Sequence, residues 1–287
     1  MTTPQTRPAA EATLQPMTEA ERAAWLHEQG QRVVQHRGRW WTALRAGFWR
    51  PVHLLARLSA AEATRPAAAC WGFQAPLRPE DAGAANATAP MHWIDDLEAF
   101  GEHGLSSNRR QQLRKARRQV EIVEATGPAL LRDQGYAVLV SSQRRTGYGK
   151  LRAREEYVDD LERSVRPGRR FVLAGLVGGR LGGYVDGFAV GATAYLDHVV
   201  IATEVLGTQI GIGLQFAFVE SCRRSDGVRE VVHGLHAPED ESLSTYKQRI
   251  GFPVRHVPAR LWVVPGALPL LRRAAPAVYY RWTGRAS

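Results

Sequence analysis

The amino-acid sequence predicts an α+β (mixed α/β) fold over its C-terminal two-thirds, with a central, mostly antiparallel sheet flanked by helices. Two features carry that expectation. Phe171–Val177, Leu181–Val190 and Thr193–Ile201 are β-patterned runs separated by glycine turns short enough for hairpins. A helix, a strand, a short helix and a last strand then follow over 212–224, 230–236, 240–249 and 252–264. A meander feeding a β-α-β unit belongs to this class.

Residues 1–16 are polar and rich in Pro and Ala, and predict a disordered lead without the apolar segment of a secretory signal. Thr18, followed by Glu19 and Glu21, starts a helix expected to run to His36. The aromatic stretch from Arg39 to Pro51 either stacks on a base or packs as an amphipathic element. Residues 60–90 are rich in Ala, Pro and Gly and predict loops around a short strand near 70–73, and Met91–Ile94 is a further short strand. Ser106 or Ser107 caps a helix running to Arg118, Val120–Val123 alternates like a strand, and 129–144 and 153–165 are helical. The expected divisions are the lead 1–16, a helical and loop-rich region 17–104, a main domain 105–264 and a basic tail 265–287.

The chain has 287 residues and a formal charge of +10, which draws it to phosphates on a nucleotide, a nucleic acid or an anionic lipid surface. Its two cysteines, Cys70 and Cys222, have no metal-ligand spacing, so no metal site is expected and a reducing cytoplasm is the natural compartment. No run reaches the roughly 20 apolar residues of a membrane-spanning helix.

The segment from Tyr195 to Leu214 carries the chemistry. A strand ends in a short loop, and Gly211-Ile212-Gly213 opens a helix. Glycines 207, 211 and 213 let the backbone approach a ligand, and the free N–H groups of the first turn suit a diphosphate. No Lys-Ser/Thr pair follows, so this is not a P-loop.

Here the chain resembles the GNAT (N-acetyltransferase) superfamily, whose Gln/Arg-x-x-Gly-x-Gly/Ala segment is matched by Thr208-Gln209-Ile210-Gly211-Ile212-Gly213. Thr208 stands in the place of Gln or Arg. The ending Tyr246-Lys247-x-x-Ile250-Gly251 and the basic stretch from Arg109 to Arg118 are similar to Fem-type aminoacyltransferases, which are GNAT relatives. The likeness covers roughly residues 105–260.

The resemblance implies an acyltransferase using acetyl-CoA or another acyl-CoA, with an amine or hydroxyl of a small molecule or peptide attacking the thioester directly. It implies that the strand around Val199 and Ile201 holds the acyl arm, and that Thr208, Gln209, Ile210, Gly211, Ile212 and Gly213 hold the diphosphate. Asp197, Glu204, His233 and His236 are open as the base, Tyr246 is the candidate acid, and Lys247 is a candidate phosphate ligand. Alternation places Tyr195, Asp197 and Val199 on one strand face and His198 on the other. Two alternatives stand beside this: a Fem-like aminoacyltransferase drawing on aminoacyl-tRNA, and a GNAT-like binding module without catalysis.

Overall fold

The computed structural model describes residues 6–45 and 47–286. In chain order the elements are β1 (Thr6–Pro8), α1 (Glu19–Glu28), β2 (Val33–His36), β3 (Arg39–Arg45), β4 (Phe48–Pro51), β5 (Gly72–Pro76) and β6 (Ala87–Ile94). Then come α2 (Ser107–Gln119), β7 (Glu121–Ala125), α3 (Tyr136–Thr146), α4 (Arg154–Ser164), β8 (Phe171–Val177), β9 (Arg180–Val190) and β10 (Thr193–Ile201). The chain closes with α5 (Ile210–Arg224), β11 (Glu230–Leu235), α6 (Glu241–Arg249), β12 (Val254–Val263), α7 (Ala267–Ala274) and α8 (Pro276–Thr283). Among the described residues no helix is long and apolar enough to cross a membrane.

Two compact units emerge. The first comprises residues 6–16, 94–232 and 249–251. Its strands pair in the order β1-β7-β8-β9-β10-β11, antiparallel except for β10 with β11. One sheet face is covered by α3 and α4, whose Val138, Tyr157 and Leu161 join Val123, Val172, Ala174 and Tyr184 in a buried core. On the other face lies α5, where ten residues, Leu214 and Phe218 among them, are buried. Phe218 sits so close to β9 that a Cβ on Gly187 would come within 2.6 Å of its ring. That glycine is the seat of the helix rather than a hinge.

The second unit comprises residues 17–93, 233–248 and 252–286. Here β2, β3 and β4 form an antiparallel meander, β4 runs parallel to β5, and β12 pairs antiparallel with both β5 and β6. Trp41, Trp49, Leu58, Phe73 and Leu77 form its buried cluster, with Trp41 edge-on to Phe73 at 5.6 Å between ring centres. Arg39, on the same strand as Trp41, pairs with both Glu19 and Glu62.

These findings correct the N-terminal expectations. The helix from Thr18 ends at Glu28, because Gly30 takes a φ of 76° that a helix cannot hold. The Thr18 start is as expected: its hydroxyl accepts from Glu21 N at 3.2 Å, and the Glu21 carboxylate takes the Thr18 N–H at 2.7 Å. The region 17–104 is rich in strands, and the aromatic stretch from Arg39 to Pro51 is a hairpin whose Trp41 and Trp49 are core. Within the lead, residues 1–5 lie outside the described residues, but Thr6–Pro8 is a strand and Ala12 and Leu14 are buried. Leu14 N donates to Ser225 Oγ at 2.8 Å, and Arg224 donates to the Ala9 carbonyl at 2.6 Å.

Candidate functional site

In the first unit β10 runs into a 3-10 turn (Thr203–Thr208), and Gln209 then opens α5. Gln209 takes φ 63°, and its N–H is held by the Leu206 carbonyl at 3.1 Å. No side chain caps α5, so its first N–H groups follow the end of β10 with the positive end of the helix dipole. The tight bend is therefore made by Gln209, not by Gly207, Gly211 or Gly213, none of which has a positive φ. Gly213 serves another purpose. A Cβ there would lie 3.0 Å from the Ala116 Cβ of α2, so its lack of a side chain lets the two helices meet. The Thr208 hydroxyl donates to the Val205 carbonyl at 2.7 Å, closing the turn from within. Ile210 and Ile212 are buried anchors, leaving backbone rather than side chain to meet a ligand.

Packed on this turn, α2 is a helix of unusual charge. Leu113 and Ala116 form its buried face. Arg109, Arg110, Arg114, Lys115, Arg117 and Arg118 share the helix with no acidic residue. Arg117 pairs with Glu102, and Arg110 donates to the Leu105 carbonyl at 2.6 Å. Arg114, Lys115 and Arg118 are exposed, and among the described residues they form no ion pair. Cations at this spacing repel one another, which favours an anionic neighbour.

The sequence reading missed a relay at the middle of β10. Pairing with β9 slips between Leu196 and His198, a bulge that breaks strict alternation, so Asp197 and His198 are both exposed. His198 Nδ1 lies 2.9 Å from one oxygen of Asp186 on β9, and Arg170 donates to the other at 2.6 Å. Asp186 is only 1% exposed. Burial alone would raise its pKa, but Arg170 and His198 hold it far below the usual carboxylate range. The facing charge of Asp186 lifts His198 from its ordinary value to about 9, although half its side chain meets water. Near neutral pH this histidine is a cation, a proton donor rather than a base. Asp186, Asp197 and His198 have donor atoms within 4.8 Å of one another, but Arg170 already neutralises the buried carboxylate.

The other expected residues fall as follows. Val199 and Ile201 lie on β10 beyond the bulge, paired with Val185 and Gly183. Glu204 accepts from the Ser141 hydroxyl at 3.1 Å. His233, His236, Tyr246 and Lys247 belong to the second unit. There the buried His233 ring stands edge-on to Phe252, and its carbonyl accepts from Lys247 Nζ at 2.8 Å. Burial lowers the Lys247 pKa to about 8, and one of the three N–H donors of its ammonium is directed at that carbonyl. His236 Nδ1 lies 2.7 Å from the Tyr280 hydroxyl and edge-on to His92, and burial lowers its pKa. Tyr246 is half-buried on α6.

No protein-family model and no curated protein matches the chain. Solved structures do. The C-terminal DUF2156 domain of a putative lysylphosphatidylglycerol synthetase from Agrobacterium fabrum superposes with a TM-score of 0.59 at 14% identity, covering 93% of this chain and 97% of that one. FemX superposes with a TM-score of 0.58 at 8% identity, covering 93% and 96%. At such identities the likeness speaks for the fold alone. The chain therefore has the GNAT-like fold, and its likeness to a Fem-type structure spans nearly its whole length rather than residues 105–260 alone.

Proposed function

We propose that the protein is a transferase that moves an aminoacyl group from aminoacyl-tRNA onto an amine or hydroxyl acceptor. The observation that carries this reading is α2. Its exposed Arg114, Lys115 and Arg118 flank the helix pair whose contact at Ala116 and Gly213 sits within the first turn of α5. A row of unneutralised cations beside a ligand-facing helix end suits a polyanionic donor, and phosphate contacts supply most of the affinity for such a partner. Support also comes from the motif likeness to Fem-type aminoacyltransferases and from the fold shared with FemX.

In this reading the acceptor attacks the ester carbonyl carbon, and a C–N or C–O bond forms. The tetrahedral intermediate then expels the ribose oxygen of the tRNA, breaking the ester C–O bond. The cationic His198, held by Asp186, supplies the proton that the departing oxygen needs, and the neighbouring Asp197 takes the proton lost by the nucleophile. A product carrying the new bond, formed from charged tRNA and abolished by His198→Gln with tRNA affinity intact, is the expected result. Equal turnover by that variant overturns the assignment.

A second reading rests on the uncapped N-terminus of α5, which suits the diphosphate of an acyl-CoA. Calorimetric titration with acetyl-CoA separates the two: saturable binding favours the thioester donor, and its absence with tRNA binding retained favours the ester.

A further inference from the structure

The loop 147–153 joins α3 to α4 within the first unit. It carries Tyr148, which at 84% exposed is the most exposed aromatic side chain among the described residues. That ring touches no other ring, and its hydroxyl makes no hydrogen bond among the described residues. A single exposed aromatic means little by itself. Here, however, the backbone beneath it is fixed. Gly147 and Gly149, on either side, take φ 64° and 78°, the left-handed turns that glycine favours. The Gly147 N–H donates to the Gln143 carbonyl, and Gln143 Nε2 donates to the Gly149 carbonyl, both at 2.8 Å. The Tyr136 hydroxyl donates to the Arg152 carbonyl at 3.0 Å.

The loop is tied to the transfer site at both ends. Ahead of it, Arg145 donates to the carbonyl of Ile201, the last residue of β10, at 3.0 Å, and the Ser141 hydroxyl accepts from Thr203 N at 3.0 Å. At its other end Arg152 pairs with Asp160 of α4 at 3.5 Å, and Asp160 pairs with Arg170, the arginine that holds Asp186. Val200 packs into the core beneath α3 and α4, and His198, two residues before it, shares that sheet face. Ile201 stands three residues, about 10 Å, along β10 from His198.

From this arrangement we infer that Tyr148 is a stacking platform for the adenine ring of the donor. The inference rests on the transferase reading, with His198 at the reacting ester. Every aminoacyl-tRNA ends in the same adenosine, whose ribose carries that ester. With the ester at His198, the terminal adenine is within reach of the end of β10 that the loop adjoins. An exposed ring gives a base a face to stack on without reading its sequence, and a loop already ordered loses little freedom on binding. Arg144 and Lys150 flank the tyrosine, are exposed, and form no ion pair among the described residues. They suit the phosphate that precedes the adenosine. An acyl-CoA also carries an adenine, so the two donor classes share the chemistry and the test must part them.

The probe is tRNA with 2-aminopurine in place of its terminal adenine, added to the full chain, with total binding followed separately by anisotropy. Stacking is expected to quench the 2-aminopurine fluorescence. Tyr148→Ala removes the quench and weakens binding about tenfold, while the salt dependence of binding keeps its slope, because no phosphate contact is lost. Tyr148→Phe, which keeps the ring, restores both. Binding of tRNA without a Tyr148-dependent quench overturns the inference and leaves the transferase reading standing. Absence of tRNA binding removes the tRNA donor instead. A CoA bearing ethenoadenine then decides: a quench lost in Tyr148→Ala upholds the platform for a thioester donor, and no such quench overturns it.

Discussion

One carboxylate oxygen of the buried Asp186 holds Nδ1 of His198 at 2.9 Å across two neighbouring strands, while Arg170 fills the other. The histidine is thereby charged where a free one would be largely neutral, and the sign of its effect on stability follows. Its folded pKa, about 9, exceeds the ordinary value of 6.5. The stabilisation it contributes is fully present below about pH 6.5 and is lost as pH rises through about 9. Asp186 works in the opposite direction: its pKa is depressed, so its contribution is present above the ordinary carboxylate range and fades only in acid. NMR titration of the His198 ring is expected to give a midpoint near 9, and a midpoint near 6.5 would dismiss the relay.

Removing the carboxylate has a second cost. Asp186→Asn leaves the buried Arg170 with only the less buried Asp160 as a charge partner, and loss of one member of a buried pair costs up to about 3–5 kcal/mol. Chemical denaturation of this variant beside His198→Gln separates the two roles. The half-exposed histidine is expected to cost far less than the buried aspartate.

Gly213 and Gly207 belong to the same glycine-rich segment and predict opposite behaviour. Gly213→Leu drives a side chain into Ala116 of α2 and is expected to destabilise by about 1–3 kcal/mol. Gly207→Ala meets nothing within 4 Å at a φ open to any residue, and its melting temperature is expected to match that of the parent. Substitution at Gly213 is thus a test of packing, and loss of ligand binding there does not map a ligand.

The exposed cations of α2 predict a salt signature. If tRNA phosphates neutralise Arg114 and Arg118, their joint replacement by Gln lowers the slope of log affinity against log salt by about 1.4 to 1.8. Thermal melting of the variant is expected to be unchanged, because neither side chain has an ion-pair partner among the described residues.

In the second unit Trp41 is fully buried at the centre of the cluster with Trp49 and Phe73. Trp41→Ala removes that packing and is expected to cost about 3–5 kcal/mol in denaturant titrations. Among the described residues its indole Nε1 has no hydrogen-bond partner, so Trp41→Phe loses volume but no polar contact and costs less.

The sequence was legible where local pattern and tertiary role agree. Phe171–Val177 and Thr193–Ile201 carry their own β-patterning and glycine boundaries, and both strands end where that pattern ends. The hairpins of the second unit were hidden, because β2 and β4 are four residues each and Trp41 of β3 and Trp49 of β4 face a core built partly from Phe73 and Leu77. Aromatics beside arginines do not reveal which face is buried. The relay at His198 was hidden for a different reason. A bulge upset the alternation by two, and the partners, Asp186 on β9 and Arg170 just ahead of β8, are brought near only by the sheet register. The one signal in reach was a histidine next to an aspartate in the middle of an otherwise apolar strand.

The short strand β1 covers β7 along the outer margin of the first unit, pairing Thr6, Arg7 and Pro8 with Ala125, Glu124 and Val123. A strand margin with bare amides and carbonyls is a template for self-association. The arm's last pairing residue is a proline, which offers no N–H to a further strand. Cleavage after Pro16 would bare the β7 edge, and the trimmed protein is expected to pass from monodisperse to aggregating under conditions in which the intact chain stays dispersed.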